Sequence, residues 1–442
     1  MEEKLFDLIF VGQRNIFLSG SAGCGKSYLL RIIHQRAKEL SMRCMLTATT
    51  GIAAVTVGGS TFHSWSGIKK GDGTAEALYA LVSSNRLAML RWRFTKLLLV
   101  DEISMFGAEL MDKINYVAQK IRGNREPWGG IQVVFSGDML QLPPVNSRFA
   151  FHAKAWPAFE FIPIFLTKPY RYVDLSFFHM LLRIRSGIPM EQDLHRLEQR
   201  FCAYKNLQKQ EIEPTRLYAL KRDVESYNHE HLLQLPGKSA PFSAHDRAFL
   251  LRNDTRVPVD SYDLTQFQAL LNQAVPEYIE LKVGAQVMLL ANLDTENGLC
   301  NGSRGVIFDI IADKGVLVKF LNDETILVTY HTWEFIREEE RGTILITRTQ
   351  IPLILAWALT VHRTQGLTLD YVIADLGPSI FTAGQAYVAL SRCRSLEGLF
   401  LSNFRPESIQ ANDEALAFEE TLRAYDVLVL RCPNHLSKEI VV

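Results

Sequence analysis

Six cysteines are all that 442 residues contain, at 24, 44, 202, 300, 393 and 432, and no two have the spacing of a metal site. Their scatter excludes a disulfide framework and fits a reducing compartment. The amino terminus, Met-Glu-Glu-Lys-Leu-Phe-Asp, carries acid where a secretory or mitochondrial signal needs base, so an intracellular location is expected. The longest apolar run, 351–361, is too short to cross a bilayer, and no membrane partner is expected. Low-complexity tracts and internal repeats are lacking. So is an excess of either charge: Lys+Arg and Asp+Glu are both 48. Net neutrality excludes a protein that coats nucleic acid with its whole surface, and leaves room for a local basic groove.

What the chain does have is a phosphate-binding loop. Residues 20–27 read Gly20-Ser21-Ala22-Gly23-Cys24-Gly25-Lys26-Ser27, a complete GxxxxGK[ST] motif. It lies between an apolar run, 15–19, and an amphipathic stretch from Lys26, which gives the strand, loop and helix that the motif needs. The glycines let backbone N–H groups wrap a phosphate, and the helix N-terminus adds a favourable field. Lys26 would reach the β- and γ-phosphates, and the Ser27 hydroxyl would ligate Mg²⁺.

Around this loop, strand signals at 15–20, 43–49, 96–100 and 131–136 alternate with helix signals at 26–40, 51–56 and 107–122. Short apolar strands alternating with helices indicate a parallel sheet covered on both faces, with functional loops at the carboxyl ends of the strands. Residues 64–95 interrupt the alternation, either as a small functional subdomain or as a solvated excursion. A second α/β region starts near Phe161. Turn-rich, β-rich sequence at 279–349 suggests a small barrel inserted in it, and the sheet pattern returns at 352–361 and 371–376.

Leu97-Leu98-Leu99-Val100 leads into Asp101-Glu102. An acidic pair after a strand can simply start a helix. About 75 residues beyond a phosphate loop, Asp101 would hold Mg²⁺ through water and Glu102 would orient or deprotonate the attacking water. Gln141, in Gly137-Asp138-Met139-Leu140-Gln141-Leu142-Pro143-Pro144, can sense the γ-phosphate through its amide. Arg171 and Arg392 lie beyond the first domain, where a guanidinium reaching across a cleft can stabilise charge on the transferring phosphoryl group.

These motifs form an ordered set. Residues 20–27, 47–54, 61–64, 101–105, 137–145, 359–368 and 387–392 follow the motif order of superfamily-one helicases. The set resembles the petite-integration-frequency (PIF-type) DNA helicases in particular, which 111–114 with 127–132, 281–290, 301–305 and 352–358 also match. The resemblance runs from about residue 12 to 405. It implies an α/β fold of two RecA-like parallel-sheet P-loop domains, one over 1–63 and 96–160 and the other over 161–278 and 350–430. A wedge insertion would occupy 64–95, a β-barrel insertion 279–349, and a tail 431–442.

The implied activity is ATP-dependent 5′-to-3′ unwinding, with ATP and Mg²⁺ as cofactors, single-stranded and tailed duplex DNA as partners, and a monomeric state. Lys26, Asp101, Glu102, Gln141, Arg171 and Arg392 would be catalytic. Gly20 to Ser27, with Gln365 and Gly366, would hold nucleotide, and Ser27 and Asp101 the metal. Thr49, Thr50, His63, Pro144, His362 and Thr364 match positions near the DNA strand. Trp65, Trp92, Trp128 and Trp357 are either core residues, the first expectation for tryptophan, or base-stacking rings.

Departures from the family pattern are Cys24 where Thr or Ser is usual, Arg363-Thr364 where Lys-Ser is common, and the adenine-contacting Gln, which would fall at Glu2 or before the chain's first residue. Two alternatives stand beside the helicase. One is a single-strand-stimulated ATPase that unwinds weakly, and the other is a DNA-binding scaffold with a dead nucleotide site.

Overall fold

The computed structural model describes the chain except for residues 1, 70, 206–212, 253–254, 260–261, 269–270, 273–274, 292, 295–298, 300, 313, 322–323, 340–341, 424–427 and 431–442. Cys300, Cys432, the turn at Asn297-Gly298 and the expected tail at 431–442 therefore lie outside the described residues. The chain divides into two compact units. One holds Met1–Leu197, Ile380–Leu396 and Arg405–Val442, and the other holds Glu198–Ser379 and Glu397–Phe404.

The first unit is built on β1 (Ile16–Gly20), β2 (Cys44–Ala48), β3 (Ser60–Thr61), β4 (Leu97–Asp101), β5 (Gln132–Gly137), β6 (Ile162–Leu166) and the short strand Leu428–Leu430. Their order across the sheet is Leu428–Leu430, β6, β1, β5, β4, β2, β3, and every pairing is parallel. Strands β1 and β4 are buried at every residue, as a parallel sheet covered on both faces requires. Helix Lys26–Glu39 returns from β1 and buries Leu29, Leu30, Ile33 and Ala37 at helical spacing. Helix Ala108–Arg122 does the same with Met111, Ile114, Val117, Ala118 and Ile121, and ends at Gly123 in the left-handed region.

Two sequence expectations change here. The first domain was expected to end at residue 160, but β6 pairs with β1 from Ile162 to Leu166 and extends the same sheet. Segments 380–396 and 405–430, expected in the second domain, also belong to the first unit. Short apolar strands look alike in sequence, and only pairing assigns them to a sheet. The second change concerns 64–95, which is no solvated excursion. Ile68, Leu78, Val82, Ala88 and Trp92 are buried in the core of this unit. Helices Ala75–Ser83 and Arg86–Phe94 start at Thr74 and Asn85, whose side chains accept from the N–H groups of Ala77 and Ala88. Trp65 and Trp92 meet with ring centroids 4.5 Å apart, and Trp92 Nε1 donates to the Ser66 carbonyl at 2.9 Å. Trp128 meets Trp92 edge to face with ring centroids 6.4 Å apart, and all three are at most 2% exposed, so the core reading of these tryptophans holds. Excising the whole insertion would remove core, so only the turn around 69–73 is open to shortening without that loss.

The second unit contains a parallel sheet ordered Ala358–Thr360, Thr215–Tyr218, Val372–Leu376, Leu399–Phe404. Asn228, from helix Lys221–Gln234, clamps it by donating to the Ala358 carbonyl and accepting from the Ala358 N–H. An antiparallel five-stranded sheet runs Thr325–Val328, Gly315–Phe320, Arg304–Ile311, Gln286–Leu289, Leu353–Leu355. Trp357 packs in its core, again a structural tryptophan. A four-stranded sheet pairs Thr255–Pro258, His245–Arg252, Gly342–Gln350 and His331–Glu339. The β-rich insertion expected at 279–349 therefore also recruits 245–258 and 353–355. Arg348, wholly buried, donates to Asp246, Gln268 and Asn272 and ties the earlier strand to the later one. Among the described residues no helix is long and apolar enough to cross a membrane.

Candidate nucleotide site

Strand β1 delivers Gly20 to the carboxyl rim of the sheet, and the loop turns through Gly23 and Gly25 at φ 78° and 86°. The close approach explains the glycine at 23, because a Cβ there would lie 2.6 Å from Cβ of Arg171. Lys26 is buried and folds back, donating Nζ to the carbonyls of Gly20 at 2.7 Å and Ser21 at 3.0 Å. Ser27 Oγ donates to Asp101 Oδ2 at 2.6 Å, which joins the loop to the end of β4. Asp101 Oδ1 accepts from the Glu102 N–H at 3.0 Å. Glu102 sits at φ 55°, ψ 44°, a left-handed conformation that costs a non-glycine residue on the order of 1 kcal/mol or more. Its carbonyl is held by the Thr49 hydroxyl at 2.8 Å and the Met105 N–H at 3.2 Å. Cys24 is buried with its thiol 3.1 Å from Ser21 Oγ, and burial pushes its pKa up, so it stays a neutral thiol.

Arg171 and Arg392 were expected to reach in from a second domain, but both belong to the unit that carries the loop. The backbone N–H of Tyr170 donates to the Gly23 carbonyl at 2.8 Å, which lays this segment directly on the phosphate loop. Arg171 Nη1 and the Tyr172 hydroxyl both donate to the Ser391 carbonyl, at 2.7 and 2.9 Å. Arg392, wholly buried, donates Nε to the Val388 carbonyl and Nη2 to Ser391 Oγ. Burial and the neighbouring Arg171 guanidinium lower its pKa to about 10, which leaves it charged at neutral pH.

Gln141 is buried after β5, with Nε2 3.3 Å from Asp138 Oδ2. Asp138 is a residue the sequence reading quoted but did not assign. Arg185 donates to both of its oxygens, at 2.7 to 3.1 Å, and also to both oxygens of Glu419. Burial alone would raise the Asp138 pKa, but Arg185 outweighs it and holds the carboxyl below its usual range. Removing one partner from such a buried ion pair costs about 3–5 kcal/mol. Tyr387, the first residue of the 387–392 motif, had no assigned role either. It is buried, and its hydroxyl accepts from the Ala22 N–H at 2.8 Å. Its place five residues before Arg392 was the available signal. Arg185 and Glu419 offered none, being 234 residues apart.

Of the residues expected near DNA, Thr49, Thr50, His63 and Pro144 share the first unit with the loop. Thr49 is tied to Glu102, and Thr50 Oγ1 caps helix Gly51–Val57 by accepting from the Ala53 N–H. Burial lowers the pKa of His63, though Asp72 opposes it. Pro144 is buried beside Val145, which is 70% exposed. His362, Thr364, Gln365 and Gly366 lie in the second unit. His362 is half-buried and burial lowers its pKa. Thr364 is wholly buried, with its hydroxyl donating to the Val361 carbonyl. Gln365 is buried too, and Gly366 follows at φ 86°.

Residues 3–192 match the family model for the PIF1-like helicase, and 268–310 match the model for the 2B domain of the DNA helicase Pif1. An ATP-dependent DNA helicase PIF1 from Danio rerio is 38% identical over 429 residues, covering 95% of this chain and 63% of that relative. The crystal structure of Pif1 helicase from Candida albicans is 34% identical with a TM-score of 0.78, covering 95% of this chain and 98% of that one. The chain belongs to the PIF1-like helicase family. A Bacteroides Pif1 helicase in complex with ADP-AlF3 and ssDNA is 28% identical with a TM-score of 0.65, over 96% of this chain and 97% of that one. The chain spans 63% of the length of the Danio relative.

A divalent ion suits the site that the PIF1-like fold provides. The Ser27 hydroxyl and Asp101 carboxylate, 2.6 Å apart, are the hard oxygen donors that Mg²⁺ prefers. Among the described residues no cluster of three metal-ligating side chains exists.

Proposed function

We propose that this chain is an ATP-dependent DNA helicase. It moves 5′ to 3′ along single-stranded DNA as a monomer, opens duplex, and serves DNA replication, repair or recombination. The observation that carries the reading is the assembly, in one unit, of Lys26, Ser27, Asp101 and Glu102 with two arginines laid against the same loop. Lys26 would exchange its loop carbonyls for the β- and γ-phosphates. Glu102 would take a proton from the attacking water, and Arg171 and Arg392 would offset charge as the γ-phosphoryl group leaves. Ser27 and Asp101 would hold Mg²⁺, which neutralises charge on the phosphates when bound. Thr49 connects this chemistry to DNA, because it lies at a strand-facing position of the family and its hydroxyl is bonded to Glu102.

A translocase that unwinds weakly is the second reading. It is favoured by how much of 64–95 is committed to the core, which leaves a short turn to act as a wedge. Two duplexes of the same sequence, one with a 5′ tail and one with a 3′ tail, separate the possibilities. Strand separation of the 5′-tailed duplex alone, with ATP, is the expected result. Opening of the 3′-tailed duplex would contradict the polarity, and ATP consumption with neither duplex opened would favour the translocase.

A further inference from the structure

Parallel strands give the first sheet two unlike rims. Gly20, Asp101 and Gly137 end β1, β4 and β5 on the carboxyl rim, which carries the nucleotide site. The amino rim lies a strand's length away, about 17 Å for five residues. It collects cations. Arg43 precedes β2, Lys96 precedes β4, and helices Arg86–Phe94 and Ala108–Arg122 end there with Arg93, Lys120 and Arg122. All of these but Arg122 are exposed, and none is paired with a carboxylate among the described residues. A cleft of about 600 Å³ opens between the two helix ends, with Arg93, Lys120, Arg122 and Asn124 in its wall. Arg122 is set there by its own hydrogen bonds. Its Nε donates to the Gly129 carbonyl at 2.6 Å, and its Nη1 to the carbonyls of Trp92, Arg93 and Thr95 at 2.6 to 3.2 Å. Those bonds fix the guanidinium and leave the two N–H groups of Nη2 without a partner among the described residues. Burial lowers the Arg122 pKa and no carboxylate raises it again, so its charge is uncompensated.

We infer that this amino rim is a second DNA-contact surface, which holds the phosphate backbone of the duplex arm of a tailed substrate and centres on the cleft at Arg122. The inference rests on the reading of the chain as a DNA helicase. Cations at helix ends complement the helix dipole, but that accounts for neither the missing carboxylates nor the unused N–H pair. In a chain with 48 basic and 48 acidic residues, unpaired cations gathered on one rim mark a place for an anion. A fixed guanidinium flanked by two long cations suits phosphate oxygens, which accept from several donors at once. The spread beyond the cleft, to Arg43 and Lys96, suits a ligand whose charge repeats, as a DNA backbone does. The tracked strand is not that ligand, because Thr49, Thr50 and His63, which match positions near it, follow the carboxyl ends of β2 and β3. The insertion at 64–95 joins the two rims. It leaves β3 on the carboxyl rim and returns to β4 past Arg93 on the amino rim. The tracked strand would therefore lie at one end of the insertion and the duplex arm at the other. Contacts to phosphates hold the duplex in place without reading its sequence.

Binding of the full chain to a 5′-tailed duplex, to its tail as a single strand and to a blunt duplex, each across a salt series, tests this. The wild-type chain should bind the tailed duplex several-fold more tightly than the tail alone. Arg93→Gln with Lys120→Gln removes two charges from the cleft and keeps good helix formers in place. The pair should weaken binding of the tailed duplex about tenfold or more, bring it level with the tail, and flatten the slope of log K against log salt by about 2. Single-strand affinity and DNA-stimulated ATP turnover should stay within about twofold of wild type. Thermal melts show that the variant folds, and Arg43→Gln with Lys96→Gln supplies a second pair on the same rim should it not. Equal losses on the single strand and the tailed duplex would overturn the inference, because the tracked strand would then occupy this rim. So would no loss on either. Polyglutamate that displaces the blunt duplex at a lower concentration of charge than competing duplex would also overturn it, in favour of an acidic polypeptide. In each of these cases a wild-type chain that binds single strand and hydrolyses ATP leaves the helicase reading standing. A wild-type chain that binds no DNA would overturn both.

Discussion

Replacing Lys26 with alanine should lower ATP turnover by on the order of a thousandfold or more. Lys26 is the only side-chain cation in the phosphate loop, and it is buried at 8% exposure with Nζ on two loop carbonyls. A neutral substitute leaves nothing to meet charge on the β- and γ-phosphates. Glu102→Gln should have a similar effect on turnover, with a different signature. The amide keeps the size of the side chain and loses the base, so ATP should bind as tightly as to wild type and remain uncleaved. General-base removal is worth on the order of 10² to 10⁴ in rate. The Thr49 hydroxyl and the Met105 N–H on the Glu102 carbonyl should keep the segment folded. Single-turnover hydrolysis with equilibrium ATP binding measures both. Near wild-type cleavage by Glu102→Gln would show that the acidic pair has been assigned wrongly.

Arg392→Ala and Arg171→Ala should each cut kcat about a thousandfold, or roughly 4 kcal/mol of transition-state stabilisation. The two guanidiniums share the Ser391 residue as anchor, one on its carbonyl and the other on its hydroxyl. Arg392 is also desolvated, and the neighbouring Arg171 guanidinium weakens its charged form further. Two cations anchored on one residue gain from an anionic ligand placed in common. Charge that develops on the γ-phosphoryl oxygens is such a ligand. Affinity for ground-state ATP should therefore change far less than kcat, and a loss confined to KM would mean that these residues only bind nucleotide. The substitutions should not be additive, because the first one relieves the repulsion that the second would have relieved.

Much of the nucleotide site was legible because its parts are encoded in consecutive residues. The run from Gly20 to Ser27 carries its own turn chemistry, and Leu97 to Glu102 shows both strand and acidic pair. What stayed hidden depends on residues that sequence separates. Arg185 and Glu419 meet only because the helices that bear them dock on one unit, and each alone looks like a surface charge. Strand β6 could not be assigned to the first sheet from Ile162-Pro163-Ile164-Phe165-Leu166, which would suit any buried strand. His245–Arg252 reads as too charged for a core strand, yet it pairs along its length with Gly342–Gln350. The insertion at 64–95 was ambiguous because its lysines and arginines are more conspicuous than the spacing of Leu78, Val82, Ala88 and Trp92, which places it in the core. Thr364 falls on a motif position, but its burial appears only once the chain is folded.

The central claim is that the assembled loop, acidic pair and arginines form an engine coupled to DNA. Phosphate release by the wild-type chain, measured with saturating ATP and Mg²⁺ in the presence and absence of single-stranded DNA, tests it most directly. The account predicts slow release without DNA, at least a tenfold rise with it, and loss of the stimulated rate in Lys26→Ala. Equal rates with and without DNA would contradict the coupling, and release that persists in Lys26→Ala would contradict the site itself.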